Sequence, residues 1–178
     1  MSRYVIAICS LITLTQFAAG ANYRSIKGGF EASFPAQVEE VVIDQYSSAW
    51  TSFDFIDELF VMHQVAILKE RPGGPLHYES VDEYRAFFKE FLNELMQGYS
   101  KSKVITSEYY LWKGKYPAFR YTFQGVMVDY DIEVINEGLA LIYNRKFVKS
   151  ALIFPDILKE DAKLIRMVNR FHNSLIVF

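Results

Sequence analysis

A single cysteine, Cys9, is all the thiol this sequence contains. It lies in an N-terminal apolar stretch that reads as a removable leader, so the rest of the chain forms neither a disulfide nor a thiol nucleophile. A lipoprotein leader needs a cysteine at its cleavage point, and Cys9 is not there. Charge of one sign is also lacking, with 19 basic residues against 21 acidic ones. That balance leaves no electrostatic footprint for nucleic acid, and no block of like charge forms a tail. No Asn-x-Ser/Thr acceptor occurs. There is no internal repeat, no low-complexity run and no linker, so one domain is expected.

Chemical motifs are equally scarce. No serine stands in a Gly-x-Ser-x-Gly elbow. Gly73-Gly74 sits in the proline-bracketed loop Glu70–Pro75 without the lysine of a phosphate loop. His63, His77 and His172 fall in three separate elements with no metal-ligand spacing. His77 has Glu79 and Asp82 nearby in sequence, but a pair alone defines no chemistry. Asp129, Asp131 and Glu133 alternate and would share one strand face. A flat strand offers none of the wrapping carbonyls that complete 6–8 oxygen ligands, so a solvated face is expected there and no metal. No cofactor is expected.

What is present begins with the leader. Met1-Ser2-Arg3 is short and basic, Tyr4 to Phe17 is mostly apolar, and Ala19-Gly20-Ala21 fits a small-x-small cleavage site. Thr13, Thr15 and Gln16 interrupt the run, which falls short of the roughly 20 apolar residues of a spanning helix. The expected division is a signal peptide over 1–21 and one domain over 22–178. Removing the leader removes Arg3 and leaves 18 basic against 21 acidic residues, a net charge of −3. With 51% hydrophobic and 16% aromatic residues, the chain has enough apolar volume to fill a core without cross-links.

Asn22 to Gly29 reads as a loose N-terminus. Phe30, Ala32 and Phe34 alternate with polar residues as a short strand stopped by Pro35. Val38–Tyr46 and Leu59–Leu68 read as strands, and Trp50–Asp57 fits either kind of element. Ser80 and Glu83 form a capping-box signature ahead of an amphipathic helix over Val81–Gln97, with Gly98 as its stop. Val104–Trp112 begins an antiparallel meander. Two-residue turns at Gln124-Gly125 and Glu137-Gly138 would pair Phe123 with Val126, Arg120 with Asp129, and Asp129 with Lys146. Ala151–Phe154 is a further strand. A last helix over Leu158–His172 should bury Leu158, Ala162, Ile165, Val168 and Phe171. Leu175–Phe178 is an apolar tail suited to a sheet edge. An eight-stranded outer-membrane barrel is excluded by the two amphipathic helices and by Arg170, His172 and Ser174 in the last alternating row.

The order of these elements resembles the Mog1/PsbP-like fold group, which includes many exported bacterial proteins. The resemblance rests on Gly29-Phe30-Glu31-Ala32-Ser33-Phe34-Pro35, on the Val81–Gln97 helix, on the meander from Val104 to Phe154, and on the closing string Asn169 to Leu175. It implies an α+β sandwich, an antiparallel β-sheet flanked by helices. The group holds accessory subunits and binding proteins with no common active site, so no functional residue carries over. The expectation is an exported, non-enzymatic binding or accessory protein of the cell envelope, periplasmic or secreted, engaging an envelope protein or a small ligand. Its contact patch should be the aromatic–basic segment with Tyr109, Trp112, Lys113, Lys115 and Tyr116. Tyr110, Phe119, Arg120 and Tyr121 lie in the same concentration. The competing reading is a carrier holding an apolar molecule between the sheet and the Val81–Gln97 helix. An envelope hydrolase, in which His63, His77 or His172 converges with a serine or a carboxylate, comes third.

Overall fold

Two apolar periodicities dominate the chain, and each folds as its period dictates. The computed structural model describes residues 21–69, 78–128 and 130–178. Strands β1 (Ala21–Ser25), β2 (Phe30–Phe34), β3 (Glu39–Val42), β4 (Ser47–Ile56) and β5 (Leu59–Lys69) precede helix α1 (Val81–Met96). Strands β6 (Tyr99–Trp112), β7 (Tyr116–Met127), β8 (Ile132–Tyr143) and β9 (Lys146–Pro155) follow. A 3₁₀ turn (Asp156–Leu158), helix α2 (Ala162–Ser174) and strand β10 (Ile176–Val177) complete the described elements. Seven strands form one open antiparallel sheet in the order β3-β4-β5-β9-β8-β7-β6, and β1-β2-β10 form a small second sheet.

Helix α1 covers one face of the large sheet. Its cap is as the sequence suggests: the Ser80 hydroxyl accepts from the Glu83 amide at 3.2 Å, while the Glu83 carboxylate accepts from the Glu79 amide at 2.9 Å. Phe88 and Leu92 are its buried residues. Phe88 stacks on Phe119 at 5.6 Å, and Phe91 meets Phe147 at 4.8 Å. The opposite face is covered by α2 together with the small sheet. Phe30 packs on Trp50 at 4.9 Å and Phe34 on Phe171 at 5.3 Å. Each such fully buried aromatic contributes about 1.5–3 kcal/mol relative to exposure.

Several expectations change. Asn22–Gly29 is not a loose end: β1 pairs with β2 from Ala21↔Phe34 to Ser25↔Phe30. Its mixed polarity follows from its place at the edge of the small sheet. Trp50–Asp57 resolves as strand, in β4. In α2 the buried residues are Leu164, Val168 and Phe171, whereas Ala162 and Ile165 face outward. The cause is the starting point. Asp161 caps the helix by accepting from the Lys163 and Leu164 amides at 2.7 and 3.0 Å, which leaves Leu158 in the 3₁₀ turn and rotates the helix phase. The apolar tail behaves as expected, with Ile176 opposite Glu31 and Val177 opposite Phe30.

The largest correction concerns the two glycine turns. Gln124-Gly125 and Glu137-Gly138 are not turns; both lie inside long strands, where Tyr121 faces Gly138 and Phe123 faces Asn136. The real turns lie at Val128, Tyr130 and Asp131 and at Asn144-Arg145. Arg120 therefore stands opposite Leu139 and Glu108, and Lys146 opposite Lys69 and Tyr143. Asp129, proposed as a partner of both, lies outside the described residues, as do the Glu70–Pro75 loop and His77. The glycines serve close packing instead. A Cβ on Gly138 would run into the phenol end of Tyr121, and one on Gly125 would come within 2.8 Å of Tyr99 Cβ. Tyr121 is wholly buried and has no room to withdraw. Gly138→Ala should therefore destabilise the protein by about 1–3 kcal/mol, read from the urea midpoint, as overpacking of a filled core does. An unchanged midpoint would show that the Tyr121 ring is free to shift.

Candidate functional site

The aromatic–basic segment is split by the sheet. Tyr109 points to the α1 face, where it lies 6.1 Å from Phe88 and beneath the Arg85 guanidinium at 5.4 Å. Phe119 and Tyr121 are buried on that same face. Tyr110, Trp112 and Tyr116 point to the other face, at the rim of the core that α2 covers. Alternation makes this unavoidable for neighbours such as Tyr109 and Tyr110. The patch thus loses Tyr109 and keeps Trp112, Lys113, Lys115 and Tyr116.

It also gains a neighbour that the sequence left unconnected. Tyr116 packs on Tyr143, from the β8–β9 hairpin, at 4.7 Å. Both hairpins turn through left-handed residues, Lys113 and Gly114 in one and Asn144 and Arg145 in the other. Two tight turns consequently stand side by side. Lys113 lies 4.2 Å from the Trp112 ring centroid and Lys115 5.1 Å from that of Tyr116. Leu111, at the same end but on the α1 side of β6, is 49% exposed. Strand β5 reaches the same end of the sheet, with Lys69 opposite Lys146. The turns at the opposite end carry Asp57 and Glu58 between β4 and β5, and Asp131 before β8, with Asp156 after β9. The strands therefore run between a basic, aromatic end and an end of mixed charge, where Lys101 and Lys103 begin β6 and Lys159 pairs with Asp156 at 3.3 Å.

The three-carboxylate row is not a row. Asp131 belongs to a left-handed turn, and Glu133 lies in β8, accepting from the Gln124 side chain at 2.7 Å. Among the described residues no group of three or more His, Cys, Asp or Glu is placed to hold a metal ion.

Two of the histidines do converge, in the core under α2. The His172 Nδ1 and the Ser150 hydroxyl share a hydrogen bond of 2.7 Å, the tautomer deciding which donates. His63, on the neighbouring strand, packs edge-on against Phe171 at 5.0 Å. Ser150 and His63 are only 1% and 3% exposed. A serine–histidine pair is the start of a nucleophile, but this one has no approach for a substrate and no carboxylate hydrogen-bonded to its imidazole in the described structure. Sequence could not reveal the pair, because 22 residues and a sheet crossing separate its members.

Burial pushes His63 down to about 4, against the opposing pull of Asp54 on β4. Burial likewise takes His172 down to about 4, helped by Arg120 on β7 and by His63, with the Glu137 backbone on β8 opposing. Both rings are thus neutral in the folded protein at neutral pH, whereas an unfolded histidine takes its proton near 6.5. Stability should be full above about 6.5 and fall as pH drops from there toward 4, by up to roughly 3 kcal/mol per ring. Urea melts at neutral and mildly acidic pH test this, and His63→Leu should remove about half of the slope. A pH-independent midpoint would mean the rings are not buried neutral.

On the α1 face, Lys149 sits at the centre of the sheet between Ala66 and Ala140. Burial pushes its ammonium down to about 8. Desolvation costs the charged form, so Lys149→Met should raise stability by about 1–3 kcal/mol at neutral pH, measured by thermal unfolding. A loss of stability would reveal that the ammonium has a favourable role.

The carrier reading needs a void between α1 and the sheet. That interface is occupied by Phe88, Phe91, Phe119, Tyr121 and Phe147 in mutual ring contact.

No protein-family model matches the chain, and no curated protein matches it. Solved structures do. The cyanobacterial PsbP (CyanoP) of Synechocystis sp. PCC 6803 superposes with a TM-score of 0.57 at 15% identity, over 97% of this chain and 98% of that one. A Pseudomonas aeruginosa protein of unknown function, PA94, gives a TM-score of 0.52 at 8% identity, over 86% of this chain and 95% of that one. At such identities the likeness is one of fold. The chain is an α+β protein of the Mog1/PsbP-like fold, as the order of its elements suggested.

Proposed function

We propose that the protein is a non-enzymatic binding or accessory protein, exported to the cell envelope, whose contact surface is the basic, aromatic end of the large sheet. The observation that carries this reading is the concentration at one end of Leu111, Trp112, Tyr116 and Tyr143 with Lys113, Lys115, Arg145 and Lys69, while the opposite end is of mixed charge. Half-buried aromatics rooted in the core cost little ordering entropy on contact, and cations around them fix orientation. Support also comes from the fold group, whose accessory and binding proteins share no active site. The burial of Ser150 speaks against hydrolysis. No helix among the described residues is long and apolar enough to cross a membrane.

Two measurements test the proposal. The intact mass of the protein from the envelope fraction should correspond to a chain beginning at Asn22; a chain retaining Met1 there would overturn signal cleavage, and its absence from that fraction would overturn the export reading. A photo-crosslinking residue at Leu111 should give an adduct in intact cells, while the same residue at Asp57 should not. Equal labelling at the two ends, or none at Leu111, would sink the assignment of the contact surface.

A further inference from the structure

Building on the assignment of the basic end as the contact surface, we infer that its occupant is the headgroup layer of an anionic bilayer, docked peripherally. Four features of the end lead there. First, the tips of the β6–β7 and β8–β9 hairpins are tight turns standing side by side, and a turn tip offers no free ladder for an added strand; the cavity at this end lies apart, at the β3–β4 turn, lined by Asp44, Tyr46, Trp50 and Lys69. A deformable surface suits such a tip better than a rigid protein does.

Second, its composition is interfacial. Leu111 is half exposed, Trp112 and Tyr143 are partly buried against the core, and Tyr116 packs on both of them. Amphipathic rings of this kind settle at headgroup level, with lysines beside them reaching the phosphates. Lys113 and Lys115 already lie over Trp112 and Tyr116, so ring and cation enter the interface as one unit.

Third, its charge is directional. Lys69, Lys113, Lys115, Arg145 and Lys146 are supplied by strand ends that the antiparallel order gathers together. Asp44, the acidic residue of the β3–β4 turn at this end, accepts from the Tyr46 and Ser47 amides at 2.7 and 2.8 Å and offsets one of these five positive charges, leaving the end basic. The protein as a whole has a net charge of −2, so attraction to an anionic surface requires this end to lead. Fourth, the other end is of mixed charge, with Asp57, Glu58 and Asp131 set against Lys101 and Lys103 and with Asp156 paired to Lys159, so it offers the surface no comparable cluster of cations and leaves the basic end to face it.

The test is flotation of the purified protein with phosphatidylcholine vesicles, with and without phosphatidylglycerol. Binding should appear only with the anionic lipid and weaken as salt is raised. Lys113→Glu with Lys115→Glu should lower vesicle affinity at least about tenfold, since each basic residue near such a surface contributes severalfold. Lys101→Glu with Lys103→Glu, an equal charge change at the far end of β6, should leave affinity unchanged. Trp50 is buried, so a blue shift in emission on vesicle binding should come from Trp112 and vanish in Trp112→Phe. Unaltered far-ultraviolet dichroism checks that each variant folds. The inference is overturned by binding that ignores lipid charge, by equal loss in the two lysine pairs, or by soluble polyglutamate binding as well as the vesicles do. Vesicle failure together with a protein adduct at Leu111 would overturn the lipid occupant and leave the contact surface standing.

Discussion

Burial of the seven-stranded sheet on both faces is the constraint from which the rest of the molecule follows. Strands β8 and β9 run through the middle and are packed against α1 on one side and against α2 with the small sheet on the other. Such strands must be apolar in both registers, and they are: Leu139, Ala140, Leu141 and Ile142 are consecutive and all buried. Polar residues caught between the layers must then neutralise or pair. His63 and His172 stay uncharged and His172 pairs with Ser150, while the half-buried Lys149 keeps a charge at neutral pH that burial opposes. With both faces consumed, contact with other molecules is left to the edges and the ends. The edges are the short β3 and the irregular β6, whose pairing with β7 shifts register twice. The ends carry the charge.

The same constraint explains where sequence reasoning succeeded. Helix α1 was legible to within a residue because its cap and its periodicity are local signals. The β2 strand, the tail pairing and the fold class were legible because they rest on simple alternation and element order. Reasoning failed where a residue has two uses. Glycine between apolar strands is a turn signal, but Gly138 and Gly125 are small because Tyr121 and Tyr99 lie across them, a fact that only tertiary packing decides. The register derived from those turns placed apolar against apolar and was still wrong. A strand buried on both faces satisfies that criterion in many registers.

The candidate site shows a parallel limit. Trp112, Lys113, Lys115 and Tyr116 are contiguous around one turn, and proximity in sequence is enough to unite them. Tyr109 was drawn in by the same proximity, although strand alternation sends it under α1. Tyr143, Arg145 and Lys69 were missed because strand order alone brings them near, through β5, β9 and β8. His172 and Ser150 were invisible for the same reason. The serine–histidine bond looks catalytic in a distance table and structural in its surroundings, and exposure separates the two readings.

The small sheet has a kinetic implication. Its central strand β2 takes one neighbour, β1, from the residues just before it, and the other, β10, from about 145 residues later. The Phe178 amide then donates to the Gly29 carbonyl, closing the same long loop. Contacts of such separation form only after much of the intervening chain is ordered. The β1–β2 hairpin can form early but has no lid until α2 docks. Until then Phe34 lacks its partner Phe171, and part of the hairpin's apolar face stays open to water even where Phe30 has met Trp50.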